Sequence, residues 1–394
     1  KSALVPVPDE SVVIGAAAAP GLENKTGQHS CFVNVVVQTL WNVGAFRDAF
    51  LKERAQLDAS EEDRSIFSAM AEVCAMMEGA MVDGASAADA TAGKASPPKP
   101  QATASALKEA LYRLDSSFEL GEMHDATEAH EALLEALHRA TKEHAADAAA
   151  DGGGGAPGGG APGGGTPAPV LACNGGQPPM HGDLRGESFI KRIFSMQMRL
   201  EFGKPADPNE EQSKPILFDQ WTQYVNAWEL REVVRAEHAR PAAADRRAPP
   251  TPPLVRMLRK VAGTEELSEG AEGSPGSGKT RMLVAPRVFT LGLASNTAHA
   301  TKSEISESLD GIEERLNLRH IYEGITEDVH CRLQALTAFY ESHYVCFCFS
   351  HNAGQWIHYD DDTRRLVGAD FAAVKDKCVA GRLHPQLLFF ERVD

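Results

Sequence analysis

The sequence lacks any run of 18 or more apolar residues, so no helix of it is expected to span a membrane. It also lacks a CxxC pair, the spacing on which many tetrahedral zinc sites are built. Its seven cysteines are an odd number in a chain of 394 residues, which argues against a disulfide scaffold. Positive charge is short: 39 Lys and Arg face 55 Asp and Glu, a formal charge of -16. That balance argues against a nucleic-acid phosphate backbone as the main partner. The first residues, KSALVPVPDESVV, have neither an initiator Met nor the layout of a signal peptide. Three stretches are poor in large apolar residues and rich in Ala, Gly, Pro or Ser. They lie at about 82–104, at about 147–182 around DGGGGAPGGGAPGGGTPAP, and at about 236–280. None can bury enough surface to offset its ordering entropy, so all three are read as flexible insertions.

Between the insertions the chain is foldable. Residues 31–50, CFVNVVVQTLWNVGAFRDAF, place Phe32, Val35, Val36, Thr39 and Leu40 at helical spacing, with Ser30 positioned to cap the start. Residues 51–80, 105–115 and 125–139 carry further amphipathic helical patterns. After residue 183 the period shifts, and FIKRIFSMQMRLEF reads as strand. From 330 onward LQALTAFYE, HYVCFCFS, QWIHYD, RRLVGA and QLLFFERV read as short strands joined by polar turns, an antiparallel sheet. Helices followed by strands predict an α+β fold. Trp356 is expected to pack behind that sheet.

Two features carry chemistry. Cys31 follows a Gly-containing polar loop and opens the first helix, where backbone N–H groups and the helix dipole favour a thiolate; the alternative is a small buried hydrophobe. His343 opens one strand and Asp360 ends the next, so antiparallel pairing could join them and give a nucleophile, a base and an orienting carboxylate. The alternative there is a packed histidine and a solvated Asp360-Asp361-Asp362 turn. GSPGSGKT, residues 273–280, matches a phosphate-binding loop literally. It is rejected because a polar, acidic stretch precedes it and Pro286 follows too soon for a helix. Cys346 and Cys348 share one strand face but have no second pair for zinc, and His351 and His358 show no metal spacing.

Taken together these stretches resemble the ubiquitin-specific protease family of papain-like cysteine deubiquitinases. GL-x-N, a Gly-containing loop, Cys-Phe-x-Asn and Gln-x-Leu-Trp match its Cys box, with Cys31 on the nucleophile and Asn34 and Gln38 on the following Asn and Gln. His343-Tyr344, Trp356, Tyr359, Asp360, Asp361 and Val367-Gly368 match its His box. Asp125, Ala126 and Glu128 match the family's Gln-x-Asp-Ala-x-Glu helix. The likeness covers residues 20–391, read as a single catalytic domain interrupted by the three insertions. It is nearest to a divergent plant and animal branch that includes members described as inactive.

The resemblance implies a helical thumb, an antiparallel β palm, and fingers that are reduced or rearranged, because the family's zinc cysteines are missing and insertions at 201–215 and 262–280 stand in their place. It implies hydrolysis of the bond after the C-terminal glycine of ubiquitin, with Cys31 as nucleophile, His343 as base and Asp360 as orienting acid. Asp361 would support their polar network. The alternative is a weakly active or inactive ubiquitin-binding scaffold of the same fold. For the oxyanion, the Cys31 N–H is one donor. The family's second is an Asn five residues before the Cys, and Thr26 stands there instead. Asn24 takes that role by its GL-x-N context, ahead of Gln28 and His29. No cofactor and no metal are implied, and the partners are ubiquitin and ubiquitinated proteins. A required free thiol points to cytoplasm or nucleus.

Overall fold

The computed structural model describes residues 19–25, 27–54, 66–87, 102–150, 187–202, 213–240, 251–263, 278–295 and 299–393. Thr26, Cys173 and most of the residues read as insertions (88–101, 151–182, 241–250, 264–277) lie outside them. Among the described residues no helix is long and apolar enough to cross a membrane.

Among the described residues six helices come first: α1 (Cys31–Asn42), α2 (Gly44–Arg54), α3 (Ile66–Ala87), α4 (Ser105–Leu114), α5 (Ala126–Ala150) and α6 (Phe189–Phe194). The helix expected over 31–50 is broken at Val43, which turns to ψ 108. Glu391 accepts from the Ala45 N–H at 2.7 Å and so caps the second half separately. Ser30 makes no side-chain cap, contrary to expectation. Its own backbone is already near helical at φ -91, ψ -1, and a capping side chain needs an extended backbone to reach forward. FIKRIF is helix α6 rather than strand. Ser188 accepts from Lys191 N, which starts a turn that buries Phe189, Ile190 and Phe194. A short apolar run is ambiguous between the two periods, and here the cap decides.

The chain continues as β1 (Met196–Phe202), β2 (Ile216–Gln220), β3 (Thr222–Asn226), α7 (Ala227–His238), α8 (Pro253–Val261), β4 (Gly278–Val284) and β5 (Val288–Ala294). α8 and the start of β4 fall inside the stretch read as the third insertion. Leu254, Val255, Met257 and Leu258 are buried there at helical spacing behind Pro253 at the first turn. Neighbouring Pro- and Ala-rich sequence hid that stripe from composition. β2, β1 and β4 form a separate three-stranded antiparallel sheet where reduced fingers were expected. Gly278, Lys279 and Thr280 begin a strand, which bears out the rejection of a phosphate-binding loop: no helix N-terminus follows the Lys.

The last third holds α9 (Lys302–Asp310), β6 (Arg315–Asn317), β7 (His330–Tyr340), β8 (His343–Ser350), β9 (Gln355–Asp360), β10 (Thr363–Gly368), α10 (Phe371–Gly381) and β11 (His384–Arg392). The main sheet has eight strands in the order β10-β9-β8-β7-β11-β5-β3, with β6 also on β7. All its pairs are antiparallel except β3 with β5. Successive strand residues face opposite sides. Tyr344, Cys346, Cys348, Leu387 and Phe389 therefore join the core with α1 to α6, whereas Val345, Phe347, Phe349, Leu388 and Phe390 join the core with α7 to α10. Both faces are covered, so the strands read as continuous apolar runs. Trp356 is buried behind the sheet against Phe349 and Phe371, as expected. The main sheet with helices on both sides, beside the small three-stranded sheet, makes an α+β fold, and it presents the first turn of α1 to the β8–β9 ends.

Candidate functional site

The segment before α1 lies directly on the β9–β10 turn. A Cβ at Gly21 would sit 2.4 Å from the Asp362 Cα and backbone oxygen, so only glycine permits this approach. Leu22 N then donates to Asp361 O at 3.0 Å, and Gln38 Nε2 donates to the same oxygen at 2.8 Å. Gly21→Ala should therefore lower stability by about 1–3 kcal/mol, as overpacking does. A denaturation midpoint unchanged from wild type would show that the contact is not tight.

The turn residue Asp361, at φ 50, aims its carboxylate inward. It accepts from Asn34 Nδ2 and Asn24 Nδ2, each at 2.9 Å. Asn34 thus ties α1 to the turn at the residue that the sequence match selected, and its Nδ2 also reaches Glu23 O at 3.3 Å. Buried amides with charged acceptors are worth more than neutral pairs, about 1.5–3 kcal/mol each.

His343 Nε2 lies 2.7 Å from Asp360 Oδ1 and 4.0 Å from Asp361 Oδ2. β8 and β9 pair in antiparallel register, with Cys346 opposite Tyr359. That register carries the start of one strand to the end of the other, so the pairing proposed from the sequence is formed. The His343 ring is pushed up to about 10: the hydrogen bond to Asp360 contributes most, then the hydrogen bond with Cys31, while burial opposes both. The same His343 bond, ahead of a burial effect in the other direction, holds the Asp360 carboxyl below its ordinary value. With Nε2 committed to Asp360, Nδ1 is the nitrogen left for the Cys31 thiol. Cys31 is a free thiol in the first turn of α1, 2% exposed. The atoms of His343, Asp360 and Asp361 that could ligate a metal lie within 4.8 Å of one another. A cation there would compete with the hydrogen bond that orients the ring.

The loop before Cys31 sorts the three oxyanion candidates by partner. Asn24 accepts from Ser30 N at 3.0 Å through Oδ1 and donates to Asp361 through Nδ2, which keeps a second N–H. It lines a cleft with Lys25, Asp360 and Asp361. Gln28 spends its side-chain oxygen on Lys25 N at 3.0 Å. His29 sits in the left-handed region at φ 47. Asn24 alone of the three links the loop to the His343 side. The matched acidic helix start also stabilises local structure, since Asp125 Oδ1 accepts from Thr127 N at 2.6 Å, at the head of α5.

Lys108 was not singled out from the sequence. It is 5% exposed on α4 and donates to the Gln28 and His29 carbonyls, the latter at 3.1 Å. The signal was a lysine inside the apolar stripe of SALKEALYRL, between Leu107 and Leu111. Cys346 and Cys348 do share a face, toward α1. Both are buried, and burial raises the Cys348 thiol.

The family model described as ubiquitin carboxyl-terminal hydrolase matches residues 20–390. Ubiquitin carboxyl-terminal hydrolase 54 of Rattus norvegicus is 23% identical over 95% of this chain and 20% of its own length. Ubiquitin carboxyl-terminal hydrolase 53 of Homo sapiens is 22% identical over 97% of this chain and 31% of its own length. The chain therefore spans a fifth to a third of the curated relatives it matches. Among solved structures, a chain of the SAGA Ubp8/Sgf11/Sus1/Sgf73 DUB module bound to monoubiquitin gives a TM-score of 0.55 at 13% identity, covering all of this chain and 72% of that one. The same module bound to ubiquitin aldehyde gives 0.54 at 13% identity, over 99% of this chain and 72% of that one. At that identity the likeness speaks for the fold. The family match over nearly the whole described chain, joined to a Cys–His–Asp constellation on that fold, places the chain in the ubiquitin carboxyl-terminal hydrolase family.

Proposed function

We propose that the chain is a thiol-dependent deubiquitinase that cleaves the peptide or isopeptide bond after the C-terminal glycine of ubiquitin. The observation that carries this reading is the 2.7 Å bond from His343 to Asp360, on a ring whose raised pKa the Cys31 side chain also helps to set. A base oriented by a carboxylate and facing a thiol is the arrangement that nucleophilic acyl transfer needs. In the first step the Cys31 sulfur attacks the carbonyl carbon, and the imidazolium gives its proton to the departing amine. Water then attacks the thioester, with the neutral imidazole taking its proton. The oxyanion of both steps needs fixed donors. The Cys31 N–H and the second Asn24 N–H are the proposed pair, while Asp361 positions Asn24. A family resemblance in fold to chains whose structures hold ubiquitin supports ubiquitin as the partner. A reactive thiol suits the cytoplasm or nucleus as the place of action.

The test is a ubiquitin probe with a C-terminal electrophile, applied to wild type and to Cys31→Ala. Wild type should become covalently modified and Cys31→Ala should not. Wild type that binds ubiquitin without reacting would leave only the scaffold function.

The His343 shift gives a pH expectation. The folded ring holds its proton up to about 10, whereas the unfolded ring releases it near 6.5. The stabilisation from this group is complete below about pH 6.5, declines above that, and is gone once the pH has passed about 10. Activity that uses the imidazolium as acid should accordingly persist into the alkaline range and fall as pH rises through about 10. Asp360→Asn should move that limb down, because the largest cause of the shift is removed. An alkaline limb in wild type already near the ordinary histidine value would contradict this.

A further inference from the structure

We propose that Lys108 is a positioning residue for the oxyanion hole, acting through the His29–Ser30 peptide on the orientation of Asn24. This rests on the hydrolase reading and on Asn24 as an oxyanion donor.

The peptide between His29 and Ser30 is held from both sides. Its carbonyl accepts from the Lys108 ammonium at 3.1 Å, and its N–H donates to Asn24 Oδ1 at 3.0 Å. A trans peptide points these two groups in opposite directions, so Lys108 and Asn24 are a clamp across one plane. Lys108 also donates to the preceding carbonyl, that of Gln28, so two successive peptide oxygens turn toward α4. Rotation of the His29–Ser30 plane would take the N–H away from Asn24 Oδ1. Asn24 would then lose the contact that decides which end of its amide faces Asp361. With the clamp intact, Nδ2 is directed to Asp361 at 2.9 Å, and its second N–H remains for an oxyanion.

The clamp is a costly device, which argues against a filler role. Lys108 is 5% exposed as a residue, and burial lowers its pKa; the Cys31 charge opposes that shift. A buried charge persists where hydrogen bonds satisfy it. Two carbonyls do so here, and the Phe32 ring lies 5.4 Å from the nitrogen. His29 is a non-glycine residue at φ 47, a conformation that needs outside support. The bond on its carbonyl supplies it. A second suture holds the same two segments together: Glu23 N donates to Ala102 O at 2.8 Å, just ahead of α4.

The test compares wild type, Lys108→Met, Lys108→Arg, Asn24→Ala and the Lys108→Met/Asn24→Ala pair on ubiquitin carrying a C-terminal fluorogenic amide. Lys108→Met should lower kcat about 10- to 100-fold, of the order of losing an oxyanion donor or somewhat less, with KM changed less than about threefold. Its affinity for ubiquitin aldehyde, which forms a tetrahedral adduct, should weaken by a similar factor. In a Cys31→Ala background its affinity for free ubiquitin should stay within about twofold. Lys108→Arg, which keeps the charge and can reach both carbonyls, should recover most of kcat. The double variant should lose no more than Asn24→Ala alone, because the two act as one unit. Should Lys108→Met fail to fold, Lys108→Gln enters the same cycle and is judged by the same criterion. Additive losses, or kcat and free-ubiquitin affinity falling together, overturn the proposal. A wild type that leaves the substrate intact overturns the hydrolase reading and this inference with it. A wild type that cleaves while Lys108→Met keeps its kcat overturns this inference alone.

Discussion

His343→Ala is expected to lower kcat by more than about 10³-fold while leaving the fold and ubiquitin binding in place. In the proposed mechanism the ring accepts the Cys31 proton and later returns one to the leaving amine, so its loss removes both transfers. Asp360 cannot take over, because it reaches the thiol only through the ring that stands 2.7 Å from it. The side chain is 37% exposed at the start of β8, so its truncation opens no buried cavity. Steady-state kinetics on a ubiquitin C-terminal amide, beside a binding titration with free ubiquitin, separates the two effects. Retention of kcat within tenfold would mean that another group serves as base. Asp360→Ala should cost less, since the imidazole remains and loses only its orientation and its raised pKa. Asp361→Ala should act differently again. It strips the acceptor from two amides, Asn24 and Asn34, and so should reduce stability as well as turnover.

Phe389→Ala is expected to destabilise the protein by about 3–5 kcal/mol, a large share of a typical folding free energy. Phe389 is fully buried on β11, paired with Ala335 of β7 on one side and Thr290 of β5 on the other. Its ring meets the edge of His130 at a centroid distance of 5.2 Å. His130 is itself fully buried on α5, and burial lowers its pKa to about 3, so it packs as a neutral ring. The aromatic pair therefore joins the helical core to the middle of the main sheet, and a void there can collapse little. Chemical denaturation should show a lower midpoint with an unchanged slope. A cost under about 1 kcal/mol would mean that neighbouring helices close the gap. Gly21→Ala, a smaller perturbation, acts at the contact nearest the site and so couples stability to alignment of Asp361.

The strands after residue 330 and the helices α4 and α5 were legible because each carries its own period or stripe. The candidate site was legible for a different reason: Cys31, His343, Asp360 and Asp361 stand in ordered, spaced boxes, and Asn24 stands in a GL-x-N context. Legibility failed where a local pattern was short or outweighed. FIKRIF has too few residues to declare a period, and Ser188 settles it as helix. PLVRMLRKV was obscured by the Pro- and Ala-rich sequence around it, although its apolar face is buried. Ser30 had the right identity for a cap, yet its backbone angles removed the opportunity.

From its amino acids alone, then, the chain determines a helical part, an antiparallel β part and the residue types of a Cys–His–Asp constellation. Periodicity and side-chain chemistry are local properties, and they need no knowledge of what packs where. The tertiary structure decided which of these groups meet. Antiparallel register of β8 and β9 put His343 on Asp360, and the bare Cα of Gly21 let the Cys loop rest on the Asp361 turn. The helix α4, distant in sequence from that loop, delivered Lys108 to its carbonyls. A buried ammonium finds partners only once the backbone around it is in place, so its role follows from packing and could not be spelled in the local sequence.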